Sequence, residues 1–315
     1  MALYDVPAPA KINLFLHVTG RREDGYHLLQ TAFRYIDLCD TLNFDIRRDG
    51  RIEREMVGMA GLEADDDLVV KAARALQRAT GTPLGAQISY RKRIPAGGGL
   101  GGGSSDAATT LIALNRLWGT GLSRQELMTL ALPLGADVPV FIYGRPAFAQ
   151  GVGEDLSPLE LPPERAYLVV QPPQHVPTAA VFASPDLTRN SPCIKMAVFA
   201  DWQQINATGP GRAKPHAMGQ GSLALFGRND LEPVVFAKYP RVAAAHDWLT
   251  RQGMHARMSG SGACLFVEFV TMKEAVLRRQ QIIGKISGDE DAAVVQGVWA
   301  CPGLADHPLR HWIRS

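Results

Sequence analysis

Apolar and polar residues alternate over residues 8–18, as they do along a half-buried strand. Four large apolar side chains share one face of this predicted strand: Ile12, Leu14, Leu16 and Val18. Lys11 and Asn13 fall together on the opposite face. A lysine on a strand is by default a solvated edge residue, so this position alone leaves the role of Lys11 open.

The same periodicities predict the remaining elements of the first half of the chain. A polar turn over 21–27 separates the first strand from a second extended segment. A helix with an acidic first turn ends at Gly81, and a capping box formed by Ser123 and Glu126 begins another helix. The predicted strands are 8–18, 28–38 and 86–94, and the predicted helices are 65–80, 107–117 and 123–132.

The second half alternates strands with helices, which predicts a compact α+β layer. Its predicted strands are 166–171, 264–269 and 292–300, and its predicted helices are 242–252 and 273–283, while a proline-rich turn leads to 178–182. Residues 185–222 show little periodicity, and 209–221 read as a mobile insertion to which no function is assigned. A proline-rich stretch over 156–163 is a reasonable junction, so we expect two domains, 1–157 and 158–315.

Charge and composition favour a small-molecule substrate. The chain has 315 residues, with 33 basic and 31 acidic side chains and a net charge of +2, so no field of one sign indicates nucleic acid or membrane as a partner. No apolar run approaches the roughly 20 residues of a membrane helix, and the N-terminus does not resemble a signal peptide, so we expect a cytoplasmic protein. Its four cysteines lack metal-ligand spacing, which predicts reduced thiols and no zinc site.

Residues 95–106, with the sequence PAGGGLGGGSSD, depart most from ordinary globular composition. Six of the seven residues 97–103 are glycines, so backbone N–H groups can curl around an anion without interference from side chains. A predicted strand precedes the run and a predicted helix follows it, which is the order found in phosphate-binding loops. We therefore predict a phosphate cradle rather than a flexible linker.

Other glycine-loop families fit less well. A Walker A loop needs a lysine directly after its last glycine, and none follows Gly102 or Gly103. Dinucleotide spacing is met by Gly97, Gly99 and Gly102, but no acidic residue lies about twenty positions later, so a nicotinamide oxidoreductase is the runner-up. The glycines that flank the nucleophile of a serine hydrolase are missing around the serines of the glycine turns.

Asp137 is the single carboxylate in the apolar stretch 135–141. Burial of an unpaired carboxylate would cost several kcal/mol, so we expect a cationic partner, and Lys11 is the leading candidate. A helix N-cap role for Asp137 is the structural alternative.

Five segments in order carry a family resemblance: PAKINLFL at 9–16, DGYH at 24–27, PAGGGLGGGSSDAA at 95–108, GADVPVF at 135–141 and MSGSGA at 258–263. Together they span nearly the whole chain and resemble the GHMP small-molecule kinase superfamily. The resemblance implies an α+β fold with an N-terminal domain like domain 2 of ribosomal protein S5, a ferredoxin-like C-terminal domain and an active site between them. It further implies transfer of the γ-phosphoryl group of ATP, with Mg²⁺, to a tertiary hydroxyl of a cytidine diphosphate sugar alcohol in non-mevalonate isoprenoid synthesis.

The resemblance also implies roles for individual residues. Asp137 corresponds to the base, Lys11 to its partner and Asn13 to an orienting group, while Tyr26, His27, Val152 and Phe182 resemble the cytosine-binding residues. Asp67, Leu68 and Lys92 would lie near the adenosine, although the family often has asparagine where this chain has Asp67. Residues 97–105 would wrap the phosphates, and the loop residues assigned to nucleotide binding are Pro95, Ala96, Gly97, Gly98, Gly99, Leu100, Gly101, Gly102, Gly103, Ser104 and Ser105.

Two further functional classes remain as alternatives besides a nicotinamide oxidoreductase. A GHMP kinase that acts on homoserine or mevalonate would share the glycine loop but lack the Tyr26–His27 pair. An RNA-binding module with an S5-like fold would need a basic face, which the balanced charge argues against.

Overall fold

The computed structural model describes residues 1–57, 66–162, 165–207, 222–286 and 294–314. The insertion at 209–221 and Asp65, the first residue of a predicted helix, lie outside these ranges.

The first half of the chain builds one sheet around a long hairpin. The strands are β1 (Ala2–Arg21), β2 (His27–Arg47), β3 (Ile52–Val57), β4 (Gly85–Arg91), β5 (Ala147–Gln150) and β6 (Asp155–Pro158). β1 pairs antiparallel with β2, with Lys11 opposite Tyr35, and the order along the rest of the sheet is β3-β4-β2-β5-β6. The predicted strand 8–18 is therefore the middle of β1, and β3, β5 and β6 were not predicted.

Helices cover this sheet on one side: α1 (Leu68–Thr80), α2 (Gly102–Leu117), α3 (Arg124–Ala131) and α4 (Val138–Tyr143). Asp67 caps α1 by accepting a hydrogen bond from the Val69 N–H, and Gly81 ends it in the left-handed conformation at φ 65°. The α1 helix thus begins three residues later than predicted, because Asp67 is the N-cap and not part of the first turn. The predicted capping box of α3 is present, with Ser123 and Glu126 bonding each other's backbone.

The second half forms a four-stranded antiparallel sheet from β7 (Ala166–Gln171), β8 (Ala256–Met258), β9 (Leu265–Phe269) and β10 (Gly297–Pro302), in the order β10-β7-β9-β8. Its helices are α5 (Thr178–Phe182), α6 (Met196–Ala207), α7 (Glu232–Lys238), α8 (Pro240–Arg251) and α9 (Met272–Ile286). The predicted ferredoxin-like arrangement is confirmed by this strand order and by the hairpin between two crossovers. Residues 185–222 were not expected to contain a helix, yet α6 lies there.

β1 joins the two halves. Its residues enter three apolar clusters: Val6 and Ala8 pack with α1 and α2, Ile12 and Phe15 pack with the second sheet, and Val18 packs under α8. Because β1 is covered on both faces, Lys11 keeps only 3% of its surface exposed. Lys11 is therefore not a solvated edge residue.

Among the described residues, no helix combines the length and apolar character needed to cross a membrane. The four cysteines are unpaired thiols, as predicted.

Candidate active site

A cavity of about 1040 Å³ opens where the two halves of the chain meet. Its walls come from β1, β2, the glycine loop, the start of α4, the turn after β5, α5 and the turn that follows β8. Segments far apart in sequence thus converge on one site, which is the location that the family resemblance implied.

Alternate glycines give the loop its curvature. Gly97, Gly99 and Gly101 adopt positive φ values of 63°, 71° and 72°, which other residue types rarely adopt. A Cβ atom on Gly99 would lie 2.0 Å from the Ser259 carbonyl oxygen, so the loop is packed against the second glycine turn. The loop is therefore a built structure and not a linker.

Four successive carbonyl groups of the loop are bound by the protein. The Ala263 N–H donates to the Gly97 carbonyl at 3.2 Å, the Cys264 N–H to the Gly98 carbonyl at 3.1 Å, and the Lys11 N–H to the Leu100 carbonyl at 2.9 Å. The Ser259 hydroxyl donates to the Gly99 carbonyl at 2.9 Å. In a trans peptide the C=O and the following N–H point in opposite directions, so the N–H groups of 98–101 face away from these partners. Consecutive amides that are left free in this way can form an anion-binding concavity.

The loop leads directly into the N-terminus of α2 at Gly102, where the first N–H groups have no partner within the helix. Of the eleven loop residues predicted to bind the nucleotide, nine line the cavity. Leu100 and Ser105 are placed differently: the Leu100 side chain is buried in the core, and the Ser105 hydroxyl donates to the Pro9 carbonyl at 2.7 Å. Both anchor the loop to its surroundings.

Lys11, Asn13 and Asp137 meet beside the loop. The Lys11 Nζ lies 3.2 Å from Asp137 Oδ2 and donates to Asn13 Oδ1 at 2.7 Å. The Asn13 Nδ2 donates to the Thr31 hydroxyl at 3.0 Å, which orients the amide. A Cβ on Gly101 would lie 3.2 Å from Lys11 Cε, so the ammonium group lies next to the phosphate loop. The predicted pairing of Lys11 with Asp137 is present.

Asp137 itself differs from expectation in two respects. Its side chain is 38% exposed and lines the cavity, so it is not the buried carboxylate that its apolar neighbours suggested. It occupies the N-cap position of α4 but makes no capping hydrogen bond. The carboxylate is thus held by Lys11 and open to the cavity, where it can accept a proton from a bound alcohol.

Aromatic side chains line one end of the cavity. The His27 and Phe182 rings lie 5.1 Å apart with an interplanar angle of 36°, and Tyr26 and Val152 complete this wall. The Arg189 Nε donates to His27 Nε2 at 3.0 Å. Burial, followed by the charges of Arg189 and Arg21, lowers the pKa of His27 below its ordinary value, so the ring is neutral near pH 7.

Asp67, Leu68 and Lys92 line the other end of the cavity. The Asp67 carboxylate already accepts bonds from the Val69 N–H, the Arg54 guanidinium at 2.7 Å and the Tyr90 hydroxyl. The Lys92 Nζ lies between the carboxylates of Asp40 and Asp106. The charged groups of Asp67 and Lys92 are therefore engaged within the protein, and the apolar Leu68 side chain is the member of this group left to pack against a base.

Sequence reasoning missed several residues of the site. Ser259, Gly260 and Ser261 belong to a glycine turn that the sequence showed but to which no site role was given. The Asn229 Nδ2 holds this turn by donating to the Met258 and Gly260 carbonyls at 2.9 and 2.8 Å. Small residues at 259–263 were the available signal, because a glycine turn that packs on another glycine loop needs no side-chain bulk.

Comparison with known proteins defines the class of enzyme. Residues 67–145 match the model of the GHMP kinases N terminal domain, and 216–283 match that of the GHMP kinases C terminal domain. The chain has the fold of a GHMP kinase, and it is a small-molecule kinase.

Similarity to individual proteins indicates which family of GHMP kinases the chain belongs to. The 4-diphosphocytidyl-2-C-methyl-D-erythritol kinase of Bordetella parapertussis is 60% identical over 324 aligned positions, which cover 100% of both chains. A crystal structure of 4-(cytidine 5'-diphospho)-2C-methyl-D-erythritol kinase superposes with a TM-score of 0.73 at 32% identity, covering 96% of this chain and 99% of that one. The homoserine kinase of Cytophaga hutchinsonii, at 16% identity, covers 97% of this chain and 96% of its own with a TM-score of 0.68, and so shares the fold alone. This chain therefore belongs to the 4-diphosphocytidyl-2-C-methyl-D-erythritol kinase family of the GHMP kinases.

Proposed function

We propose that the chain transfers the γ-phosphoryl group of ATP to the 2-hydroxyl of 4-diphosphocytidyl-2-C-methyl-D-erythritol, giving the 2-phosphate and ADP. The observation that carries the proposal is the contact between an amide-lined glycine loop and the Lys11–Asp137 pair in one cavity. Phosphoryl transfer requires mainly alignment and charge stabilisation, and this arrangement supplies both.

Each group in the reacting region has a distinct task. The hydroxyl oxygen of the substrate forms a bond to the γ-phosphorus while the bond to the β,γ-bridging oxygen breaks, and Asp137 takes the hydroxyl proton. Lys11 holds the Asp137 carboxylate at 3.2 Å and offers its positive charge to the attacking oxygen. The amides of 98–101 and the N-terminus of α2 bind the phosphate oxygens and disperse the negative charge that leaves with ADP.

The two ends of the cavity suit the two nucleotides. The aromatic wall of Tyr26, His27 and Phe182 matches a stacked cytosine, and Leu68 offers a surface to the adenine. We assign the cytidine diphosphate to the first end and the adenosine to the second. The paired Asp67 carboxylate indicates that this residue supports the base site through the start of α1 and not by a side-chain contact to adenine.

Magnesium fits the donor chemistry beside the loop. Mg²⁺ prefers oxygen ligands and commonly combines phosphate oxygens with one or two protein oxygens. The Ser104 hydroxyl lines the cavity in the first turn of α2 and would hold the ion together with phosphate oxygens. When bound with ATP, the ion supplies neutralisation of phosphate charge. We further propose that residues 1–157 and 158–315 are the two domains and that the enzyme acts in the cytoplasm on small molecules, without nucleic acid or membrane as a partner.

The direct test is incubation of the purified chain with ATP, magnesium and the cytidylyl sugar alcohol, followed by mass spectrometry. A product 80 Da heavier than the substrate, together with ADP, is the expected result. Homoserine and mevalonate run in parallel should give no ADP above background. Phosphorylation of either of these and not of the sugar alcohol would contradict the proposal.

A further inference from the structure

Asp40 is a fully buried carboxylate that the reaction does not use directly. It lies on β2 and has 0% of its surface exposed. Its Oδ1 accepts hydrogen bonds from the N–H groups of Arg93 at 2.5 Å and Ile94 at 2.8 Å. These are the last two residues before the glycine loop, so one carboxylate oxygen fixes the path by which the chain enters the loop.

The other oxygen of Asp40 binds Lys92. The Lys92 Nζ donates to Asp40 Oδ2 and also to Asp106 Oδ2, with side chains 0% and 4% exposed at the two carboxylates. Asp106 belongs to α2, just after the loop. The ionic contacts of Lys92 with Asp40 and Asp106 therefore connect α2 to β2. Because Asp40 also binds the backbone just before the loop, both ends of the loop are held against β2.

This arrangement controls where the Lys92 ammonium points. Lys92 lines the cavity, and its Nζ would lie 3.4 Å from a Cβ on Gly102, the first residue of α2. Two buried carboxylates without the ammonium between them would repel each other, and an ammonium without Asp40 would lose one of the two carboxylates that hold it beside α2. The position of the loop and the position of the lysine thus depend on the same carboxylate.

We infer that Asp40 is a positioning residue for the nucleotide: it sets the start of the phosphate loop through two backbone amides and aims Lys92 at α2. The inference rests on the proposed function only in taking ATP as the nucleotide that the loop holds. Asp40 does not line the cavity, so it acts through the loop and Lys92 without touching the substrates.

The test is Asp40→Asn, which keeps the shape of the side chain and an oxygen for the backbone amides but removes the charge that holds Lys92. We expect the KM for ATP to rise at least about tenfold, while kcat at saturating ATP and the KM for the alcohol substrate change less than about threefold. The matched control is Asp37→Asn, an exposed carboxylate on the same strand, for which all three parameters should stay at wild-type values. A merely structural role would lower the active fraction and reduce kcat with both KM values unchanged.

A double-mutant cycle with Lys92→Met provides the second measurement. If Asp40 acts through Lys92, the double variant should bind a non-hydrolysable ATP analogue no more weakly than the weaker single variant, by calorimetry. Additive losses, or an ATP KM unchanged in Asp40→Asn, would overturn the inference. If Asp40→Asn does not fold, Lys92→Met alone must weaken binding of the ATP analogue, and wild-type affinity in that variant would overturn it equally.

Calorimetry also separates this inference from the proposed function. Binding of the ATP analogue needs no alcohol substrate, so the effect of Asp40→Asn on nucleotide affinity is measured even if the sugar alcohol is not phosphorylated. Affinity for cytidine diphosphate, measured in the same variants, should remain within about twofold of wild type.

Discussion

The substitution Gly99→Ala tests the packing of the phosphate loop most directly. Gly99 has a φ of 71°, and a Cβ there would lie 2.0 Å from the Ser259 carbonyl oxygen and 2.9 Å from the Ser259 carbonyl carbon. Both neighbours are backbone atoms of the second glycine turn. No side-chain rotation can relieve this contact, so the loop and the turn must separate.

The expected loss follows from two contributions. A non-glycine residue in the left-handed region costs roughly 1 to 2 kcal/mol. Separation of the loop from the turn also breaks the Ser259 hydrogen bond to the Gly99 carbonyl, which contributes about 1 kcal/mol. A total of about 2 to 3 kcal/mol corresponds to a fall in Tm of roughly 4 to 12 °C, since each kcal/mol shifts Tm by roughly 2 to 4 °C in a domain of 150 to 250 residues.

The assay is thermal unfolding together with the KM for ATP, and Gly103→Ala is the matched control. Gly103 lies inside α2, and its Cβ would meet only the Leu68 Cδ1 at 3.6 Å, an ordinary contact. Alanine there should leave Tm unchanged or raise it, because alanine favours a helix over glycine by up to about 1 kcal/mol. A Gly99→Ala variant with wild-type Tm and wild-type KM for ATP would refute the packed-loop reasoning.

Three other variants test separate parts of the molecule. Phe182→Ala should weaken cytidine diphosphate binding by roughly 1 to 3 kcal/mol, the range for aromatic stacking on a base, and unchanged affinity by calorimetry would remove Phe182 from the base site. Arg189→Met should raise the pKa of His27, measured by NMR titration, because the Arg189 charge helps to lower it; a constant pKa would contradict this electrostatic coupling. Burial lowers the pKa of His307 to about 3, below its unfolded value near 6.5, so its contribution to stability is complete above pH 6.5 and is lost as pH falls toward 3. The loss amounts to about 2 kcal/mol by pH 5, and His307→Gln should flatten this part of the urea-unfolding profile; an equal slope in both proteins would contradict it.

Local signals explain which elements were predictable. The α3 helix was expected from its capping box, and β7 was predicted with the observed bounds because its apolar run is bracketed by polar and proline residues. The α6 helix was missed because packing and not periodicity holds it: Phe199 contacts the rings of Phe15 and Phe226 at 5.4 and 5.1 Å. The short strands β5 and β6, of which β6 forms the edge of the sheet, have four residues each, too few for a reliable alternation.

The residues of the candidate site also divide into those with a local sequence signal and those that depend on tertiary contacts. Strand alternation alone placed Lys11 and Asn13 on one face, and the isolated acid in an apolar stretch drew attention to Asp137. Asp40 could not be found in this way, because its partners Arg93 and Ile94 lie more than fifty residues away in sequence. Contacts of that kind depend on how β2 and the loop meet in the folded chain.

The most direct test of the catalytic arrangement is the turnover of Asp137→Asn. Asparagine preserves the size of the side chain but cannot take the hydroxyl proton, so steady-state turnover should fall by at least about 10²-fold. Calorimetry with the ATP analogue should show that nucleotide binding persists, because the loop amides are unchanged. Near wild-type turnover in this variant would contradict the role of the Lys11–Asp137 pair in the transfer.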